Sequence, residues 1–272
     1  MKFTPPLFSR HGLLATAFLV AGSASALAVD WTQTTGPFGT AANWSGGAVP
    51  SGVAATIGNG GTATVAAGNS FNVATLAVGG HSGTGAITQS GGALSASQVM
   101  IGGDDSFGGS GQGSYALTGG TLTGGNNEMW VGSRGGTGTL AMSGTSSVVN
   151  GIQIIIGRDA GGSGTLDLAG SARLSNLSNH LFVGINAPGK SSTATVRENA
   201  TLASADEIYV GWLGGNTCQG TLVLKDHATM TAVNGVVIGR DSGKGTMTVG
   251  DSAVLEIGGG LMAGAGSNAV GA

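Results

Sequence analysis

An apolar residue followed by glycine recurs along this chain at a spacing that neither helices nor hairpins require. The pairs are Ile57-Gly58, Val78-Gly79, Ile101-Gly102, Val131-Gly132, Ile156-Gly157, Val183-Gly184, Val210-Gly211 and Ile238-Gly239, with Ala263-Gly264 as a degenerate ninth. Successive glycines stand 21 to 30 residues apart. A period in this range marks a repeat architecture, in which one unit cannot bury its apolar face without its neighbours.

The pattern inside each unit names the element. Apolar residues two apart precede the glycine: Leu76/Val78, Val99/Ile101, Met129/Val131, Ile154/Ile156, Leu181/Val183, Ile208/Val210 and Val236/Ile238. Alternation with period two belongs to a strand with one buried face. A Gly- and Ser-rich loop follows, then a second alternating run. Its pairs are Tyr115/Leu117, Leu140/Met142, Leu166/Leu168, Leu222/Leu224 and Met247/Val249, with Ile87/Gln89 and Ala194/Val196 as poorer copies. Five or six residues later stands one more apolar residue: Leu94, Leu122, Val148, Leu174, Leu202, Met230 and Leu255.

Each unit therefore supplies three short strands. The expected fold is all-β, a right-handed parallel β-helix (β-solenoid) of about eight coils, since parallel crossovers take that hand in nearly all cases. A sandwich or barrel with hairpin connections is the competing architecture. It gives no reason for the same inward positions to recur at near-fixed offsets. The six residues Asp104-Asp105-Ser106-Phe107-Gly108-Gly109 read as a loop insert in the longest unit.

Composition agrees. Glycine makes up 55 of 272 residues, and each costs a helix roughly 1 kcal/mol relative to Ala. Collagen is excluded by five prolines and the lack of a three-residue glycine period. Only 8% of residues are charged, while mean hydropathy is positive, the reverse of a disordered chain. A net charge of −3 provides nothing to neutralise a row of phosphates, so no nucleic acid is expected as a partner.

Residues 1–28 read as a secretory signal peptide. Lys2 and Arg10 are basic, Leu13 to Ala21 are apolar, and Ala26-Leu27-Ala28 fits a cleavage site before Val29. Residues 29–56 read as an N-terminal cap segment and 57–272 as the repeats. The single cysteine, Cys218, allows no internal disulfide and reads as a tolerated loop thiol.

The recurring x-Val-Gly, Gly-Thr-Leu-x-Leu-x-Gly and Ala-x-Leu segments resemble the passenger repeats of autotransporters (type V secretion). They also resemble repeats in bacterial proteins carrying a PEP-CTERM sorting signal. Trp31, Ala41-Ala42-Asn43-Trp44-Ser45-Gly46-Gly47 and Pro50 resemble the segment that opens such arrays. The resemblance covers residues 30 to about 264. It implies an exported scaffold at the cell surface, associated with the outer membrane or secreted. Residues 258–272 show neither the alternating, aromatic-girdled strands of a membrane barrel nor a Pro-Glu-Pro-type signal. The array thus reads as truncated at its C-terminal end, with a membrane link only through a missing C-terminal translocator.

Catalytic chemistry finds little support. Asp226, Asp251 and Glu198 share one repeat offset and read as solvated turn charges in a weak stack with Lys225 and Arg197. Asp167 points outward on a second strand. Arg158-Asp159 and Arg240-Asp241 read as pairs that order their own loops. His81, His180 and His227 lack ligand spacing, so no metal site and no cofactor is expected. The Thr-x-Thr pairs Thr62/Thr64, Thr121/Thr123, Thr193/Thr195, Thr229/Thr231 and Thr246/Thr248 fall on different strands and are not expected to line up.

One feature points to a site. Between the inward pairs of the strand before each glycine lie Met100, Trp130, Ile155, Phe182, Tyr209 and Val237. Alternation turns these outward, and stacking places them in one apolar stripe. It is covered by polypeptide missing here, forms a lateral contact, or is internal. The reading is a non-enzymatic structural or adhesive stalk, with the stripe meeting a surface protein, a glycan or a second copy. A carbohydrate-active, polysaccharide lyase-like β-helix and a matrix or surface-layer component are the alternatives. N-terminal sequencing of the exported product should begin at Val29; a product retaining Met1 would overturn the signal-peptide assignment.

Overall fold

The computed structural model describes residues 28–80, 82–103, 110–159, 161–213, 218–265 and 270–271. The chain forms a parallel β-solenoid of about nine turns. One coil runs Met129–Ser133, Thr137–Met142, Ser147–Asn150. The next runs Ile154–Arg158, Ser163–Leu168, Arg173–Asn176. Every named strand pairs in parallel with its copies in adjacent coils, which rules out the hairpin-connected sandwich. Three ladders result. The second forms a sheet of its own, while the first and third merge where two early strands, Ser70–Val78 and Ala93–Ile101, run unbroken through both.

Register follows the alternation read from the sequence. Leu76, Val99, Met129, Ile154, Leu181, Ile208 and Val236 stand in one row of the first ladder. Ile87, Tyr115, Leu140, Leu166, Ala194 and Leu222 stand in one row of the second. Leu94, Leu122, Val148, Leu174, Leu202, Met230 and Leu255 align in the third despite the variable gap before them. Their side chains form one continuous core. Each fully buried Leu or Ile contributes on the order of 1.5–3 kcal/mol.

The N-terminal segment adds a coil beyond the eight counted from the sequence. Val29–Asp30 pairs with Ala55–Ile57, and Thr35–Pro37 pairs with Asn59–Val65. Two short 3-10 turns, Ala41–Asn43 and Ser45–Gly47, flank Trp44. Trp44 lies edge-on to Trp31 at 5.0 Å and to Phe38 at 4.8 Å, and its indole N–H donates to the Phe38 carbonyl at 2.7 Å. These three rings close the core at this end, each 2% exposed or less. At the other end the apolar side chains lie open: Val249 is 45% exposed and Leu261 58%. The expected signal segment, apart from Ala28, and the 104–109 insert lie outside the described residues.

What sets the coil's cross-section is a contact between two rows of glycine. The row after the first strand (Gly79, Gly102, Gly132, Gly157, Gly184, Gly211, Gly239) has φ between 63° and 77°, the left-handed region that disfavours side chains. The facing row opens the second strand (Gly85, Gly113, Gly138, Gly164, Gly220, Gly245). A Cβ built at Gly138 would fall under 3.0 Å from the Ile101 carbonyl and the Gly132 amide. The same clash recurs at Gly113, Gly164, Gly220 and Gly245. The first and second ladders thus meet backbone to backbone. Ser192 interrupts the row, and its Oγ accepts the Gly164 amide at 3.2 Å.

Inward polar groups are few, and the side-chain amides among them are put to use. The Asn150 side-chain amide donates to the carbonyls of Asn127 and Gln153 at 3.0 and 2.9 Å. Asn176 does the same for Ser178 and Asn179 one coil later. Both hold the turn between third and first strands. The Tyr115 hydroxyl donates to Gln89 Oε1, so the poorer copy Ile87/Gln89 gains a buried partner. Gly138→Ala should lower stability by about 3 kcal/mol, because backbone cannot yield to the new methyl. Gly260→Ala, where nothing lies within 4 Å, should stay within about 0.5 kcal/mol. Urea denaturation midpoints check this; equal shifts would contradict it.

Candidate functional site

The six stripe residues stand in register on adjacent coils, with Ala77 before them: Met100, Trp130, Ile155, Phe182, Tyr209, Val237. They form a cluster separate from the core, on the opposite face of the first ladder. Each is nonetheless 1% to 6% exposed. The cover comes from the chain itself. Neighbours one strand spacing apart shield one another, and two flanking rows fold over them. One row is Glu128, Gln153, His180 and Glu207, the residues before the first inward position. The other is Arg158, Ile185, Trp212 and Arg240, just past the glycine.

Trp130 is held on three sides. Its indole N–H donates to Glu128 Oε2 at 2.8 Å. The guanidinium carbons of Arg158 and Arg134 lie 4.5 and 5.4 Å from its ring centre, at cation–π distance. Arg158 also pairs with Glu128 and, at 3.0 Å, with Asp159. Gln153 Nε2 donates to Glu128 Oε1. Above this group opens a groove of about 450 Å³ lined by Gln98, Asn126, Asn127, Glu128, Gln153 and Arg158.

Farther along, Phe182, Tyr209 and Trp212 stack. Phe182 lies 5.2 Å from Tyr209 and 5.3 Å from Trp212, with Tyr209 and Trp212 at 4.9 Å and all three ring planes within 23°. Arg240 sits 5.6 Å from both Tyr209 and Trp212 and donates to the Tyr209 oxygen at 3.0 Å. Trp212 Nε1 donates to Asp241 Oδ2 at 2.7 Å. Burial, and then the hydrogen bond the hydroxyl gives to Glu207, push the Tyr209 phenol up to about 12. The Arg-Asp pairs do order their loops, with Asp159 and Asp241 at positive φ. Their arginines also roof the aromatic ladder, which adjacent-residue reading did not show.

The turn acids are more than solvated charges. Glu198, Asp226 and Asp251 adopt positive φ where other coils place Gly144 and Gly170. Glu198 accepts the Gly170 amide at 2.7 Å, Asp226 accepts that of Glu198 at 2.9 Å, and Asp251 accepts that of Asp226 at 3.1 Å. Each carboxylate thus caps the coil before it. Arg197 grips Asp167 with two bonds, 3.1 and 3.0 Å, and Glu198 at 2.7 Å. The bond to Asp167 raises the Arg197 pKa further, so this arginine stays charged.

One expectation is corrected in part. Of the expected pairs, Thr62/Thr64, Thr193/Thr195 and Thr246/Thr248 do share one register on the second ladder, and Thr139, Thr165 and Thr221 stand in the outward row of Thr62, Thr193 and Thr246. Thr195 and Thr248 share a second row there with Ala141, Asp167 and Val223, and Thr121 and Thr229 sit on the third ladder, so the row stays single file. Cys218 stands in the loop just before Gln219–Leu224, as expected, and is fully buried there, which raises its pKa. His81 lies outside the described residues. His180, by contrast, is brought beside Asp206 and Glu207. Nothing in its local sequence signals this. Its repeat offset does, because His180 and Glu207 both precede the first inward residue.

Comparison with protein-family models, curated proteins and solved structures finds no match to this chain. Among the described residues, no helix is long and apolar enough to cross a membrane.

The chain's two tyrosines are both shifted upward, Tyr115 by burial alone. A raised phenol pKa favours the protonated folded state, so this stability is intact below pH ~10 and is lost as pH rises past it. Tyrosinate absorbance should stay low in the folded protein at pH ~10.5 and appear on unfolding. Full native ionisation at that pH would contradict the burial of both rings.

Proposed function

We propose that the protein is an exported structural or adhesive rod, of the autotransporter-passenger kind, and that it does no catalysis. The observation that supports this most is the use made of its polar side chains. The arginines, carboxylates and amides on the outer face of the first ladder hold the aromatic row in place. The carboxylates of the turns cap neighbouring coils. The one outward carboxylate of a second strand, Asp167, is gripped by Arg197. A polysaccharide-cleaving β-helix of the lyase kind needs a Lys or Arg base left free beside its carboxylates, whereas Arg158, Arg197 and Arg240 are each engaged with a carboxylate.

The rod's contact face is, in this reading, the roof over the stripe rather than the stripe itself. Ile185 and Trp212 are part-exposed there, whereas Trp130 and Phe182 are 4% and 2% exposed. Contact with a glycan, a surface protein or a second copy would fall on those roof residues. Replacing Trp130 or Phe182 would remove packing worth about 3–5 kcal/mol and would confuse adhesion with unfolding. Ile185→Ser is the cleaner test.

Cell fractionation with intact-mass measurement should find the product at the cell surface or in the medium. Ile185→Ser should weaken its adhesion to cells or its self-association in sedimentation velocity while leaving the thermal midpoint within a few degrees. Unsaturated sugars released from an acidic polysaccharide would overturn the non-enzymatic reading. A cytoplasmic product would overturn the exported one.

A further inference from the structure

His180, Asp206 and Glu207 come together at the edge of the first ladder. Leu181 pairs with Ile208 across adjacent coils, so His180 and Glu207, the residues before them, are neighbours one coil apart. Asp206 stands in the turn just before. The His180 Nδ1 lies 3.2 Å from Asp206 Oδ2 and 3.8 Å from Glu207 Oε2. The three donor atoms all lie within 4.8 Å of one another.

The imidazole is fixed in this position. Its ring stands edge-on to Phe182 at 5.7 Å and to Tyr209 at 5.1 Å, near-perpendicular to both. The carboxylates are held as well. Asn234 Nδ2 donates to Asp206 Oδ1, the oxygen turned away from His180, at 2.7 Å, while the Tyr209 hydroxyl donates to Glu207 Oε2, the same oxygen that faces His180. The Asp206 amide is 3.4 Å from Ser204 Oγ. Such outer partners are what orient metal ligands.

Two features separate this group from an ordinary surface ion pair. The Nδ1 atom is shut off from solvent and makes no hydrogen bond of acceptable geometry among the described residues, although two carboxylate oxygens face it. The two donor separations measured from His180 also suit a small cation. Four-coordinate zinc with bonds of about 2.0–2.1 Å places its ligand atoms ~3.4 Å apart, and 3.2 and 3.8 Å bracket that value.

We infer that His180, Asp206 and Glu207 form a binding site for a divalent first-row transition ion of the zinc type. The donor set sets the class. Calcium and magnesium take oxygen ligands alone, whereas imidazole with carboxylates suits zinc and its neighbours. The side chains are 27% to 31% exposed, so an ion can enter from the outer face and keep water in its remaining position. The neutral imidazole binds through Nδ1 and keeps its proton on Nε2. The ion joins two successive coils and lies against Phe182 and Tyr209, so it acts as a cross-coil staple. This inference does not depend on the surface role proposed above.

The test uses untagged, metal-stripped full-length protein titrated with Zn²⁺ by calorimetry, alongside thermal denaturation. One equivalent should bind and raise the thermal midpoint, and Mg²⁺ at the same concentration should not. His180→Gln and Asp206→Asn should each weaken binding at least tenfold. Asn234→Ala should weaken it by about tenfold, the usual cost of losing an outer partner. His227→Gln, at an exposed turn, should leave binding unchanged. The midpoints of the variants without metal show whether each still folds. Absence of Zn²⁺ binding to the unmodified protein would overturn the site, as would equal binding by His180→Gln and Asp206→Asn; the trio is then an ion pair only.

Discussion

The close approach of two backbone segments, one glycine row against another, is the constraint on which this structure depends. From Val78 onward the first strand is followed by a left-handed glycine such as Gly132, and the second strand passes it at Gly138 with no room for a side chain. That contact brings the first and second ladders together on successive coils, with Ser192 in place of glycine on one of them. It also directs the side chains on either side of it. Val131 points into the core, and Trp130 points away from it. Thirteen of the chain's 55 glycines form these two rows, while the inward positions of the strands keep their β-branched and aliphatic residues.

The outer face of the first ladder follows from the same geometry. Stacking coils at a strand spacing of about 4.8 Å puts like positions next to like. An apolar outward position repeated six times becomes a continuous ridge that must be covered. The chain covers it with its own polar residues: arginines over rings, and carboxylates and amides tying those arginines and indoles down. Such pairs are individually worth little at a surface. Here they are repeated and share partners, with Glu128 meeting Trp130, Gln153 and Arg158 together. The result is a second, thinner layer of packing outside the main core.

Much of this was legible in the sequence, and the rest was hidden for a definite reason. Alternation within a strand gave the inward pairs, and Leu94 and Leu122 fell into line with Val148 even though their gaps differ. The outward stripe was legible from the same rule. The features that were not legible all lie across coils, between residues about one repeat apart. Glu198 gives no local sign that its carboxylate caps Gly170 in the coil before. Asn150 and Asn176 look like ordinary loop residues until they are placed inside the turn they bond. The threonine row escaped because pairs within a strand were sought, whereas the alignment runs between strands. His180 and Glu207 share a repeat offset, but a search for metal ligands by close spacing passes over them. Thus periodicity reveals what a strand does with its own face, and only stacking reveals which side chains become neighbours.

The central claim is that the two ladders meet through glycine backbones on successive coils. Nuclear Overhauser contacts test it most directly, in protein labelled at glycine. The account predicts contacts from the Gly138 α-protons to the Gly132 amide, repeated between Gly164 and Gly157 and between Gly245 and Gly239. Cross-strand contacts between antiparallel neighbours within one repeat, with these glycine contacts absent, would contradict it.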